Sequence, residues 1–164
     1  MKRCILAAIL FFSMATAPCV AAEPAPQPKW MTSPAKELVD KARATTQQVT
    51  IKDLKDAIDG NKEVVILDVR EPNEYDVAHI PEAINVPRGL LEFSIWSVVP
   101  NREEKIFVYC KTGARAALAT KLLNEMGYKN AVAVNTGGVA WVQAGYPIKT
   151  SITDEEIVIM PAKR

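Results

Sequence analysis

Three short apolar runs divide the chain at intervals: Val64-Val65-Ile66-Leu67, Ile106-Phe107-Val108-Tyr109 and Ala131-Val132-Ala133-Val134. Each is continuous rather than alternating, the pattern of a strand buried on both faces. Each also ends at a polar or reactive residue: Asp68, Cys110 and Asn135. Between the second and third runs, Ala119, Leu122, Leu123 and Met126 recur at helical spacing, and Gly127 supplies a stop. Shorter strands are expected at residues 49–51 and 83–86. Alternating strands and helices predict an α/β fold with a mostly parallel five-stranded central sheet and helices on both faces.

The flanks read differently. Ser33 followed by Pro34 is a helix start, and a thin apolar stripe through Leu38, Val39 and Ala42 predicts an N-terminal accessory helix over residues 34–44 lying on the domain. Before it, Pro24, Pro26 and Pro28 mark residues 23–33 as an extended linker. The expected layout is therefore a leader over 1–22, a linker over 23–33, an accessory helix region over 34–48, a central domain over 49–150 and a tail over 151–164. In the tail, Ile157-Val158-Ile159-Met160 is a candidate extra strand.

Residues 1–22 combine Lys2 and Arg3, an apolar run from Ile5 to Phe12, and small residues ending at Val20-Ala21-Ala22, the layout of a cleavable secretory signal. Ser13, Thr16 and Pro18 interrupt the run before it reaches the roughly 20 apolar residues of a spanning helix. Thr16 and Pro18 also fit poorly with lipid attachment at Cys19. Cleavage near Ala22 gives a periplasmic or secreted protein without stable membrane insertion. It removes Cys4 and Cys19 and leaves 18 basic against 19 acidic residues. That near-neutral balance gives no footprint for nucleic acid and fits a small-molecule partner.

Cys110 then has no partner for an internal disulfide, so it is buried, paired between chains or reactive. It stands at the carboxyl end of a strand, where open α/β sheets bind ligands. The segment Cys110-Lys111-Thr112-Gly113-Ala114-Arg115 joins strand to helix, and Gly113 permits a tight turn. Backbone amides and the positive helix end there suit an anion, a thiolate included, with Lys111 and Arg115 adding charge. The competing reading is an inert, buried small side chain. His79, the only histidine, reads as a hydrogen-bonded structural residue more readily than as a base. One histidine and one remaining cysteine give no metal set, and no Walker-type or dinucleotide glycine pattern implies a cofactor.

The loop from Cys110 to Arg115 resembles the active-site loop of the rhodanese sulfurtransferases. The resemblance extends over residues 49–150, through Leu67-Asp68-Val69-Arg70 with Glu71 and Tyr75, His79-Ile80-Pro81, Ala83-Ile84-Asn85-Val86-Pro87 and Gly137-Gly138-Val139-Ala140-Trp141. Ala78 and Glu82 depart from it, standing where the family commonly has glycines, and residues 90–99 differ as well.

The resemblance implies a rhodanese-like fold and a thiosulfate sulfurtransferase in which Cys110 takes the outer sulfur of thiosulfate as a persulfide. The sulfur then passes to a thiophilic acceptor such as cyanide or a thiol, including one on a partner protein. Lys111, Thr112, Gly113, Ala114 and Arg115 are the implied substrate-binding loop. Arg115 has two readings, one as rim charge and one as a brace on loop carbonyls. Asp68 and Arg70 either support the loop or brace neighbouring turns. Cysteine phosphatases on a similar cradle have five residues between Cys and Arg, against the four here, and a histidine where this chain has Tyr109. A sulfur carrier that serves a partner protein without efficient turnover is the alternative to an enzyme.

Overall fold

The computed structural model describes residues 33–60, 63–151 and 156–157. The expected signal segment, the linker up to residue 32 and most of the apolar run in the tail lie outside them. Along the chain, α1 (Pro34–Thr45), β1 (Gln48–Val49) and α2 (Ile51–Asp59) precede β2 (Val65–Asp68), α3 (Pro72–Val77) and β3 (Ile84–Asn85). A 3₁₀ turn (Arg88–Leu90) leads into α4 (Leu91–Val98), followed by β4 (Ile106–Tyr109), α5 (Ala114–Glu125), β5 (Ala131–Val134) and α6 (Gly137–Gln143). The strands β6 (Ile148–Lys149) and β7 (Glu156–Ile157) form a separate antiparallel pair.

The first five strands form one sheet in the order β1-β5-β4-β2-β3, and every pairing is parallel. The central strand β4 explains its unbroken apolar run. Ile106 and Val108 join the core under α4 and α5, with Leu91, Ile95, Ala119 and Leu123. Phe107 and Tyr109 point the other way, into the core under α2 and α6 with Leu54, Ala57 and Trp141. Successive side chains of a strand leave on opposite faces, so burying both faces demands apolar residues at every position.

Two expectations are corrected. Residues 49–51 do not continue as a strand, because the Thr50 hydroxyl accepts the Asp53 N–H at 3.1 Å while the Asp53 carboxylate accepts the Thr50 N–H at 2.7 Å. This reciprocal cap turns Ile51 into the first residue of α2. In α1, Val39 and Ala42 are buried, but Leu38 faces solvent, so the helix packs on α5 through a narrower stripe than the sequence suggests. The helix α4 lies in the stretch where the resemblance weakens, and it is anchored by Leu91 and Ile95, both fully buried and one turn apart.

Candidate active site

The loop after β4 is built around two glycines. Gly113 caps α5 with φ of 89°, and a side chain there would meet the carbonyl oxygen of Asn135 at 2.0 Å. Gly137 opens α6 with φ of 64°, where a Cβ would lie 2.4 Å from the carbonyl oxygen of Cys110. Both positions need left-handed backbone and close approach, which only glycine combines without strain. The pair Gly137-Gly138 thus supports the cysteine loop directly. The Gly138 N–H donates to the Cys110 carbonyl at 2.8 Å, and the Val139 N–H donates to the Lys111 carbonyl at 3.2 Å.

With those carbonyls held from α6, the Gly113 N–H donates to Cys110 Sγ at 3.2 Å. Cys110 is 1% exposed and sits on the α4 and α5 face of the sheet, while the following helix directs its positive end at the loop. Cys110 lines a cavity of about 490 Å³. Lys111, Thr112, Ala114 and Arg115 share that cavity, so the structure brings together most of the loop residues singled out in the sequence. Gly113 is buried beneath them.

Arg115 lines the Cys110 cavity, and its guanidinium is held by a partner outside the loop. Its Nη1 and Nη2 donate to Glu74 Oε2 and Oε1 at 2.7 and 2.9 Å, tying the first turn of α5 to α3. Hydrogen bonding to Arg115, followed by the charge of that guanidinium, outweighs desolvation and holds the Glu74 carboxyl below the usual range. The same pair raises Arg115. Nothing in the local sequence marks Glu74 as this partner, because the two residues are 41 positions apart.

Asp68 and Arg70 form a second pair, away from the thiol. Asp68 is fully buried, and Arg70 Nε donates to both of its carboxylate oxygens at 3.0 and 2.9 Å. Arg70 Nη2 also donates to the Ala78 carbonyl at 2.7 Å, while Asn85 Nδ2 bridges the carbonyls of Asp68 and Arg70. These bonds brace the turns after β2 and α3, and neither residue lines the Cys110 cavity. Behind the loop, the Tyr109 hydroxyl accepts the Ile80 N–H at 3.1 Å. Burial, reinforced by the nearby charge of Asp68, pushes the Tyr109 phenol well above its ordinary range.

Arg70 instead lines a neighbouring cavity of about 520 Å³ that shares Lys111 but does not reach Cys110. His79 is fixed by its Nδ1 at 2.9 Å from the Tyr75 carbonyl and by stacking on the Tyr75 ring at 3.8 Å. That setting is structural. Glu82 adopts φ of 62°, the one non-glycine residue in left-handed backbone among the described residues. Ala78, the other departure from the family glycines, is extended and needs no glycine.

Comparison with known proteins places this geometry. A family model described as a rhodanese-like domain matches residues 50–144. A probable adenylyltransferase/sulfurtransferase of Mycobacterium tuberculosis is 31% identical over 99 residues, 60% of this chain and 25% of that protein. The chain therefore spans about a quarter of that relative's length. A thiosulfate sulfurtransferase of Escherichia coli is 36% identical over 73 residues, covering 44% of this chain and 68% of the relative. Among solved structures, a Rhodopseudomonas palustris protein of unknown function, described as a possible tyrosine phosphatase, aligns with a TM-score of 0.65 at 32% identity. That alignment covers 76% of this chain and all of the other.

Proposed function

The chain belongs to the rhodanese-like domain family, and from that premise we propose that it moves sulfane sulfur through a persulfide on Cys110. The observation that carries this reading is the Gly113 N–H directed at Cys110 Sγ, at the positive end of α5. The amide and the helix end both face the sulfur, and a thiolate on Cys110 is the nucleophile the chemistry needs.

In the first step the thiolate attacks the outer sulfur of thiosulfate. A new S–S bond forms to Cys110, the S–S bond of thiosulfate breaks, and sulfite leaves with the bonding pair. The terminal sulfur then carries the negative charge, which the Gly113 amide and the start of α5 favour. In the second step cyanide or a thiol attacks that terminal sulfur and restores the Cys110 thiolate. Lys111 adds charge at the exposed rim. Arg115 lines the same cavity and positions the loop through its ion pair with Glu74.

A phosphatase reading fits this loop less well. Four residues separate Cys110 from Arg115, and the Arg115 guanidinium is turned to Glu74 through both Nη atoms. The sequence of residues 1–22 supports action outside the cytoplasm, with 49–150 as the sulfur-transfer unit and 34–48 as an accessory helix. The intact mass of the protein recovered from an exported fraction tests cleavage after Ala22.

Incubation with thiosulfate followed by intact-mass measurement tests the chemistry. The protein gains one sulfur atom, and Cys110→Ala gains none. A wild-type protein that stays unmodified, or an alanine variant that still gains sulfur, sinks the mechanism. Repeated release of thiocyanate on adding cyanide identifies an enzyme, whereas a single equivalent identifies a stoichiometric carrier. A generic phosphate ester stays intact.

A further inference from the structure

The wall of the Cys110 cavity has a source outside the region matched by the family model. Ala35 and Val39 of α1 line it together with Ala114 and Leu118 of α5. Each pair is spaced by four residues, so each forms one ridge along its helix, and α1 packs on α5. Four of the five charged residues of α1 pair with one another: Lys36 with Asp40, and Lys41 with Glu37 at 2.7 Å. None of those four lines the cavity. One side is thus an apolar cleft between two helices, while Lys111, Thr112 and Arg115 make the other side polar.

The size of the cavity agrees with this division. At about 490 Å³ it falls among pockets that hold small organic molecules, far more space than a thiosulfate ion fills. A compound with an anionic sulfur at one end and an apolar group at the other matches both sides. Its sulfur end would meet Cys110 while its apolar group leaves water against Ala35, Val39 and Leu118.

We propose that α1 is the specificity wall of the sulfur-transfer site, selecting sulfur donors that carry an apolar organic group over bare thiosulfate. The inference rests on the reading of Cys110 as the sulfur-accepting nucleophile. With an aryl thiosulfonate as donor, the thiolate bonds to the terminal sulfur, the sulfur–sulfur bond breaks, and the sulfinate leaves with the bonding pair. Ala35 and Val39 are positioning residues in this step, since they touch the organic group and not the reacting sulfur.

The experiment compares benzenethiosulfonate with thiosulfate as donor and reads the ratio of their kcat/KM values, together with intact-mass loading of Cys110. Wild type favours the aryl donor by about tenfold, chiefly through KM, as burial of part of a ring against an apolar wall predicts. Ala35→Gln, at an exposed helix position where folding tolerates the change, lowers that ratio about fivefold. Leu38→Gln, on the outward side of the same helix, leaves the ratio at its wild-type value. Equal use of the two donors by wild type, an unchanged ratio in Ala35→Gln, or an equal loss in Leu38→Gln overturns the inference while leaving the cysteine chemistry intact. Failure of both donors to load Cys110 overturns the underlying reading, and the inference with it.

Discussion

Arg115 in α5 and Glu74 in α3 face each other in a two-pronged ion pair, with N–H···O distances of 2.7 and 2.9 Å. It joins the first turn after the cysteine loop to an element 41 residues earlier in the chain. About a third of each side chain remains in water, so solvent screens the pair and limits its contribution. Glu74→Gln is expected to lower stability by about 1 kcal/mol near neutral pH. The sign with pH follows from the depressed Glu74 carboxyl. Its contribution is complete above the unfolded-state carboxylate range and is lost as pH falls through the lower folded value. Urea midpoints of wild type and variant therefore converge on acidification, and a gap independent of pH would contradict this assignment.

Gly137→Ala places a Cβ 2.4 Å from the Cys110 carbonyl in left-handed backbone, whereas at Gly138 the nearest atom is 3.7 Å away. The first change is expected to cost about 3 kcal/mol and to slow sulfur loading of Cys110, because the loop must shift. The second, which meets only ordinary contacts, is expected to cost about 1 kcal/mol or less. Thermal unfolding and thiosulfate loading, measured on both variants, check the contrast. Equal effects at the two glycines would show that close approach does not set the cost.

Glu82→Gly is expected to stabilise the protein. Glu82 holds φ of 62°, a conformation disfavoured by about 1–2 kcal/mol for residues with a Cβ. The greater freedom of glycine in the unfolded chain offsets part of this, leaving a gain of roughly 0.5–1 kcal/mol. A chemical denaturation curve shifted to lower denaturant would count against the strain.

Asp68→Ala removes the carboxylate beneath Arg70 and leaves a largely buried guanidinium with the Ala78 carbonyl and the face of the Tyr109 ring as its remaining contacts. Breaking a buried pair from one side costs about 3–5 kcal/mol, well above the loss expected for the partly exposed Glu74 pair. A thermal midpoint within a few degrees of wild type would show the pair to be better solvated than its geometry indicates.

Much of the fold was legible because it depends on local chemistry. Burying a parallel strand on both faces demands apolar side chains at consecutive positions, so β4 and β5 stand out by composition alone. The end of β4 likewise marks Cys110, and the glycine three residues later marks the turn that brings an amide to its sulfur. Local competition was harder to read. Residues 49–51 carry strand-forming side chains, but the cap between Thr50 and Asp53 outcompetes the strand and starts α2.

The cysteine at the end of β4, its glycine turn and the spacing to Arg115 were determined by the sequence itself, since each follows from neighbours within a few residues. Only the tertiary structure decided what Arg115 holds, why Gly137 has no side chain, that Asp68 and Arg70 lie outside the lining of the Cys110 cavity, and that α1 walls it. Those relations join residues far apart in the chain. Their energies come from desolvation, close packing and paired charge, which exist only once the chain has brought the partners together.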